Sequence, residues 1–146
     1  MAATSRTERL AIRSWEDIVQ IRRQTRLFAI AAGLNLVDQT KIITAASELA
    51  RNTLDYAGGG EVRMELIEQV GRFGVRLAFE DRGPGISDIE AALKDGFTTG
   101  SGLGLGLGGA RRLTNEFSIE SNPGVGTKVT IARWKSTPTS SPSDSA

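Results

Sequence analysis

The 146-residue chain has no cysteine and no histidine. That double absence removes disulfides, thiolate nucleophiles, Ser-His-Asp triads and zinc sites built on the usual ligands. It also means the chain cannot phosphorylate itself on histidine. No apolar run approaches the ~18–20 residues needed to span a bilayer, and the opening MAATSRTERLAIRS lacks a signal peptide's apolar core. The expected location is therefore cytoplasmic, with no membrane partner. A block of like charges is missing too, and the net charge is only +1, so a nucleic-acid partner is not expected. The remaining composition, 39% apolar and 24% charged, is that of one globular domain.

Periodicity supplies the elements. RLAIRS (9–14) alternates weakly and reads as an edge strand. Ser14 starts a helix, with Glu16 and Asp17 in its first turn and Ile18, Ile21, Thr25, Phe28 and Ala32 at steps of three and four. A second helix is expected from about Asp38, with a buried stripe of Ile43, Ala46, Ala50, Leu54 and Ala57 closed by GGG at 58–60. Val62, Met64 and Leu66, then Phe73, Val75, Leu77 and Phe79, read as a hairpin turning at Gly71. ARRLTNEF reads as a helix. FSIES and GTKVTIARW read as a closing strand pair joined by NPG. The spacing predicts an α/β two-layer sandwich, its mixed, largely antiparallel sheet covered on one face by helices. Residues 1–135 would form one domain. The Ser/Thr/Pro-rich residues 136–146 would be a disordered tail.

Three features carry candidate chemistry. Glu48, Asn52 and Asp55 share one face of the second helix, roughly opposite the Ala46–Ala50 stripe. That face is either simply solvated or aims a carboxylate and an amide into a cleft, where they could hold a hydrated Mg²⁺. Asp81 has the parity of Phe73, Val75, Leu77 and Phe79, which turns it toward the buried side, where it needs a hydrogen-bond partner. The Gly83 and Gly85 that follow make either an ordinary turn or a break allowing close approach of a flat ligand.

Nine of the seventeen glycines lie between 83 and 109. A spacer would mix glycine with serine. Here leucines alternate with glycines through GLGLGL and lead into a helix, an arrangement suited to cradling phosphate on bare amides. Neither a Walker A loop nor a dinucleotide fingerprint fits, because the first lacks its G-K-[ST] end and the second lacks a preceding strand.

Taken in order, Glu48-x-x-x-Asn52 on a helix, Asp81-x-Gly83-x-Gly85 after a strand, GLGLGL before a helix and GTKVTI on a closing strand resemble the ATP-binding module of gyrase B, Hsp90, histidine kinases and MutL, the GHKL superfamily. The likeness runs from about residue 40 to 134. A chain this short resembles the stand-alone serine kinases of bacterial partner-switching pathways. Gly100 and Ser101 stand where the anti-sigma branch carries a basic residue. EDRGPGISDIEAALKDGFTTGSGLGLGLGGARRLTNEFSIES is closer to the RsbT-type switch kinases, although Gly108 replaces an expected proline.

The resemblance implies a Bergerat-type ATP-binding fold and, residue by residue, a set of roles. Glu48 would be the general base and Asn52 the Mg²⁺ ligand. Asp81 would accept from the adenine amino group, supported through water by Thr127, while Gly83 and Gly85 let the base lie against backbone. Residues 88–101 would form a lid. Gly102, Leu103, Gly104, Leu105 and Gly106 would line the ATP phosphates, held by the glycine amides. With Lys94 the only cation between Gly83 and Gly102, turnover is expected to be slow. The implied partners are a STAS-domain protein substrate and a PP2C-type phosphatase. The competing reading is a nucleotide-gated sequestering protein, such as an anti-sigma factor.

Overall fold

A computed structural model describes residues 2–86, 88–93 and 107–136. The expected phosphate segment at 102–106 and most of the 88–101 lid therefore lie outside the described residues, as does the tail past Ser136. Strand β1 (Ala3–Ile12) starts six residues before the run read from sequence. It is an edge strand with its first half exposed, so no apolar alternation marks it. Helix α1 (Trp15–Ala31) begins on the expected cap: the Ser14 hydroxyl accepts from the Asp17 amide at 3.4 Å. Its inner face buries Ile18, Ile21, Thr25, Phe28 and Ala29, and the Thr25 hydroxyl is satisfied by the Ile21 carbonyl at 2.6 Å.

Helix α2 (Leu36–Ala57) is capped by Asn35, whose side chain accepts from the Asp38 amide at 2.8 Å. It thus starts two residues earlier than read. Its buried face is also broader, taking in Ile42, Ala45, Leu49 and Thr53, because α1 covers one side while the sheet covers the other.

Strands β2 (Gly60–Gln69) and β3 (Arg72–Asp81) form the expected hairpin. Val70 and Gly71 fill its two-residue turn with φ of 54° and 73°, the twist that antiparallel strands favour. A single turn, α3 (Ile89–Ala92), follows, then α4 (Leu107–Arg112). The helix read through Phe117 stops at Arg112. β5 recruits the next backbone instead: the Asn115 amide donates to the Ala132 carbonyl at 2.8 Å, and the Asn115 side chain accepts from the Trp134 amide at 2.7 Å. Strands β4 (Glu116–Asn122) and β5 (Gly126–Trp134) close the fold.

The five strands run in the order β1-β2-β3-β5-β4, and all four pairings are antiparallel. Registers place Met64, Leu77, Ile131 and Phe117 in one row on the inner face, and Val62, Phe79, Val129 and Ile119 in the next. Both helices pack on these rows, giving a two-layer α/β sandwich with a continuous core. One row further on, the same face turns polar with Asp81, Thr127 and Ser121 side by side.

At the opposite end of β5, Arg133 reaches inward to Asp38, which is only 3% exposed. Its guanidinium donates to Asp38 Oδ1 at 2.7 and 3.1 Å and to the Leu113 carbonyl at 3.0 Å, and the Ser136 hydroxyl donates to Asp38 Oδ2 at 2.8 Å. Burial pushes the Asp38 carboxyl up, but the Arg133 and Ser136 hydrogen bonds, with the charges of Arg133 and Lys41, hold it below the usual range. Ser136 is thus tied to the fold, one residue into the expected tail.

Candidate functional site

The polar row of the sheet forms one wall of a pocket that is partly open to solvent. Asn52, Thr53 and Tyr56 enter from α2, Asp81 from β3 and Thr127 from β5. Phe79, Ile86, Leu107 and Val129 supply apolar surface between them. Such a site can take a flat, apolar ring that carries a few hydrogen-bonding groups.

Two of the polar side chains that α2 supplies are already engaged. Thr53 donates to the Leu49 carbonyl at 2.9 Å, and Tyr56 donates to the Gly85 carbonyl at 3.1 Å. Asp81 keeps capacity to accept: its Oδ1 takes the Gly83 amide at 2.8 Å in a local turn. Burial pushes the Asp81 carboxyl above its ordinary value; backbone hydrogen bonds from Gly83 and Thr127 oppose this, and the neighbouring Glu80 charge adds to it.

Asn52 does not lie opposite the buried stripe, as expected from sequence, but at the margin of α2's broadened apolar face. Its Nδ2 is buried without a hydrogen-bond partner among the described residues. A buried amide left this way favours a ligand that would complete it. Glu48 lies one turn earlier, half-buried and off the pocket lining, while Asp55 is exposed.

The glycines after β3 have a packing reason of their own. A Cβ on Gly83 would stand 2.5 Å from the Ala57 Cβ, and one on Gly85, whose φ is 78°, would stand 2.5 Å from the Asn122 carbonyl oxygen. Both glycines let the loop close against α2 and the β4–β5 turn.

Ser121 was missed from sequence. Its hydroxyl accepts from the Ile86 amide at 2.6 Å, lies 2.8 Å from the Thr127 hydroxyl and donates to the Gly126 carbonyl at 3.3 Å. It therefore orients Thr127 and pins the loop after β3. The available signal was its parity with Phe117 and Ile119, the same rule that picks out Asp81.

Among the described residues no group of three or more His, Cys, Asp or Glu side chains could hold a metal. Among the described residues Asn52 is the one side-chain amide lining the pocket. A site offering so few protein oxygens fits Mg²⁺, which keeps waters and shares phosphate oxygens, better than a cation needing a full protein cage.

Residues 37–138 match the model of the histidine kinase-, DNA gyrase B- and HSP90-like ATPase family. The chain belongs to this family. Within it, the chain is 46% identical over 118 residues to the serine/threonine-protein kinase RsbT of Bacillus subtilis (strain 168), covering 81% of this chain and 89% of that one. It stands with the serine/threonine kinases among these ATPases, which implies that it uses ATP. The crystal structure of the RsbU and RsbW domains of a Mycobacterium tuberculosis protein matches with a TM-score of 0.62 at 20% identity. That match covers 91% of this chain and 34% of the other, and at this identity it shows a shared fold. Among the described residues no helix is long and apolar enough to cross a membrane.

Proposed function

We propose that this protein transfers the γ-phosphate of ATP to a serine or threonine of a STAS-domain antagonist and, by switching partners, regulates a PP2C-type phosphatase in a bacterial stress pathway. The observation that carries the reading is the meeting of Asn52, Asp81 and Thr127 around one apolar pocket, in a chain 46% identical to a serine/threonine kinase. The Asp81 carboxylate accepts from the adenine amino group, and Thr127, oriented by Ser121, supports it through water. Asn52 would hold Mg²⁺ through its amide oxygen. When bound, that ion offsets charge on the phosphates and orients them. Glu48, one turn along α2, takes the proton of the attacking hydroxyl. Gly102, Leu103, Gly104, Leu105 and Gly106 hold the phosphate tail through their backbone. Residues 1–135 act as one domain.

The test is transfer of label from radiolabelled ATP to the purified STAS-domain protein. Glu48→Gln should lower the rate by roughly 10²–10⁴, the usual worth of a general base, with ATP binding retained. Undiminished transfer by that variant would remove Glu48 from the mechanism.

A further inference from the structure

Helix α1 carries a second pattern that its packing does not require. Trp15, Val19 and Ile30 are 55%, 54% and 54% exposed, and Leu27 beside them is 45% exposed. Arg22 and Arg26, also exposed, complete the sequence 15, 19, 22, 26, 30. Steps of three and four place these five side chains in one row along the helix, flanking the buried Ile18–Phe28 face. Scattered exposed apolar residues are ordinary, but a row of them marks an interaction surface. The third arginine, Arg23, flanks the row. On the adjoining helix, Arg51 stacks 5.7 Å over the Trp15 ring.

None of Arg22, Arg23 and Arg26 takes part in an ion pair among the described residues. The chain as a whole is nearly neutral, 18 basic against 17 acidic residues, so this is a local concentration of positive charge. Tryptophan and arginine are also the residues that most often anchor protein interfaces.

We propose that the outer face of α1 is the docking surface for an acidic, amphipathic helix of a protein partner. The intermixing of charge and apolar surface selects that occupant. Arg22 and Arg26 lie within the apolar row, so sinking the row into a bilayer would carry guanidinium groups with it. Carboxylates spaced along a partner helix would meet the arginines while its apolar side chains cover Trp15, Val19 and Ile30. No α1 residue lines the nucleotide pocket, so a partner held here leaves that pocket open.

The inference rests on the reading that the chain works through protein partners, and the purified STAS-domain protein and PP2C-type phosphatase from the same source serve as probes. Calorimetric titration of the full chain should show that Arg22→Glu with Arg26→Glu weakens binding of at least one of them by about tenfold or more. The loss should be larger at low salt than at high salt, with ATP affinity unchanged. Val19→Ser with Ile30→Ser, which keeps the charges, should weaken the same complex. Wild-type affinity in both double variants overturns the proposal. So does failure of the wild type to bind either protein, or a preference of these residues for phosphatidylserine vesicles or duplex DNA. A transfer assay on the wild type separates the two readings: an absence of any phosphate transfer from ATP by the wild-type chain, alongside binding that still depends on the arginines, removes the kinase reading and keeps this one.

Discussion

At Asp81, burial and the adjacent Glu80 work against the charged form, yet the hydrogen bond proposed from the adenine amino group is strongest to that form. The folded-state pKa is raised, so the penalty for folding with this carboxyl is absent below the unfolded value, grows as pH rises from there to the folded pKa and is complete above it. At neutral pH Asp81→Asn should therefore be at least as thermally stable as the wild type, while its ATP affinity falls on the order of tenfold to a hundredfold, the worth of one charged hydrogen bond. A carboxyl NMR titration should find the Asp81 midpoint above the ordinary aspartate value; a midpoint at or below it would sink the argument. The residue was legible because strand parity continued one step past an apolar run. Gly83 and Gly85 were legible as necessary glycines but not for the reason now visible: what approaches them closely is Ala57 and Asn122. Contacts between residues this far apart in sequence leave no local trace.

The row Asp81–Thr127–Ser121 belongs to three strands at once, and its integrity is a property of the sheet. Removing the Ser121 hydroxyl leaves the Ile86 amide without its acceptor and frees Thr127 to rotate. Ser121→Ala should cost about 1–3 kcal/mol in a urea melt, the usual penalty for a buried group left unsatisfied. Ser118→Ala, on the same strand but exposed, should stay within about 0.5 kcal/mol. Equal effects at both positions would show that the row is not a unit. Elements with a buried face were read from sequence to within a few residues. β1 was read short because its first half buries almost nothing, and α2's face was read narrow because a single stripe cannot reveal that the helix is covered on two sides.

Across the whole molecule, the Arg133–Asp38 pair ties the start of α2, the end of β5, the Leu113 carbonyl after α4 and Ser136 into one knot. Arg133→Ala leaves a buried carboxylate uncompensated and should cost about 3–5 kcal/mol. The pH dependence has a definite sign. Because the native pKa of Asp38 is lowered, its contribution is fully present above the unfolded value of about 3.9 and drains away as pH falls from there toward the native value. Denaturant melts from pH 6 downward should show the wild type losing stability in that acid range. The Arg133→Ala variant should lose less, and parallel curves would contradict the assignment.

Helix α2 is a party wall. Arg51 leans out of it against Trp15, and Asn52, its immediate neighbour, looks into the room on the other side. Tenants on the two sides share one partition, so any shift of the backbone between them is felt by both. By linkage the influence has to be mutual: whatever factor a docked protein applies to nucleotide affinity, the nucleotide returns to the protein in equal measure.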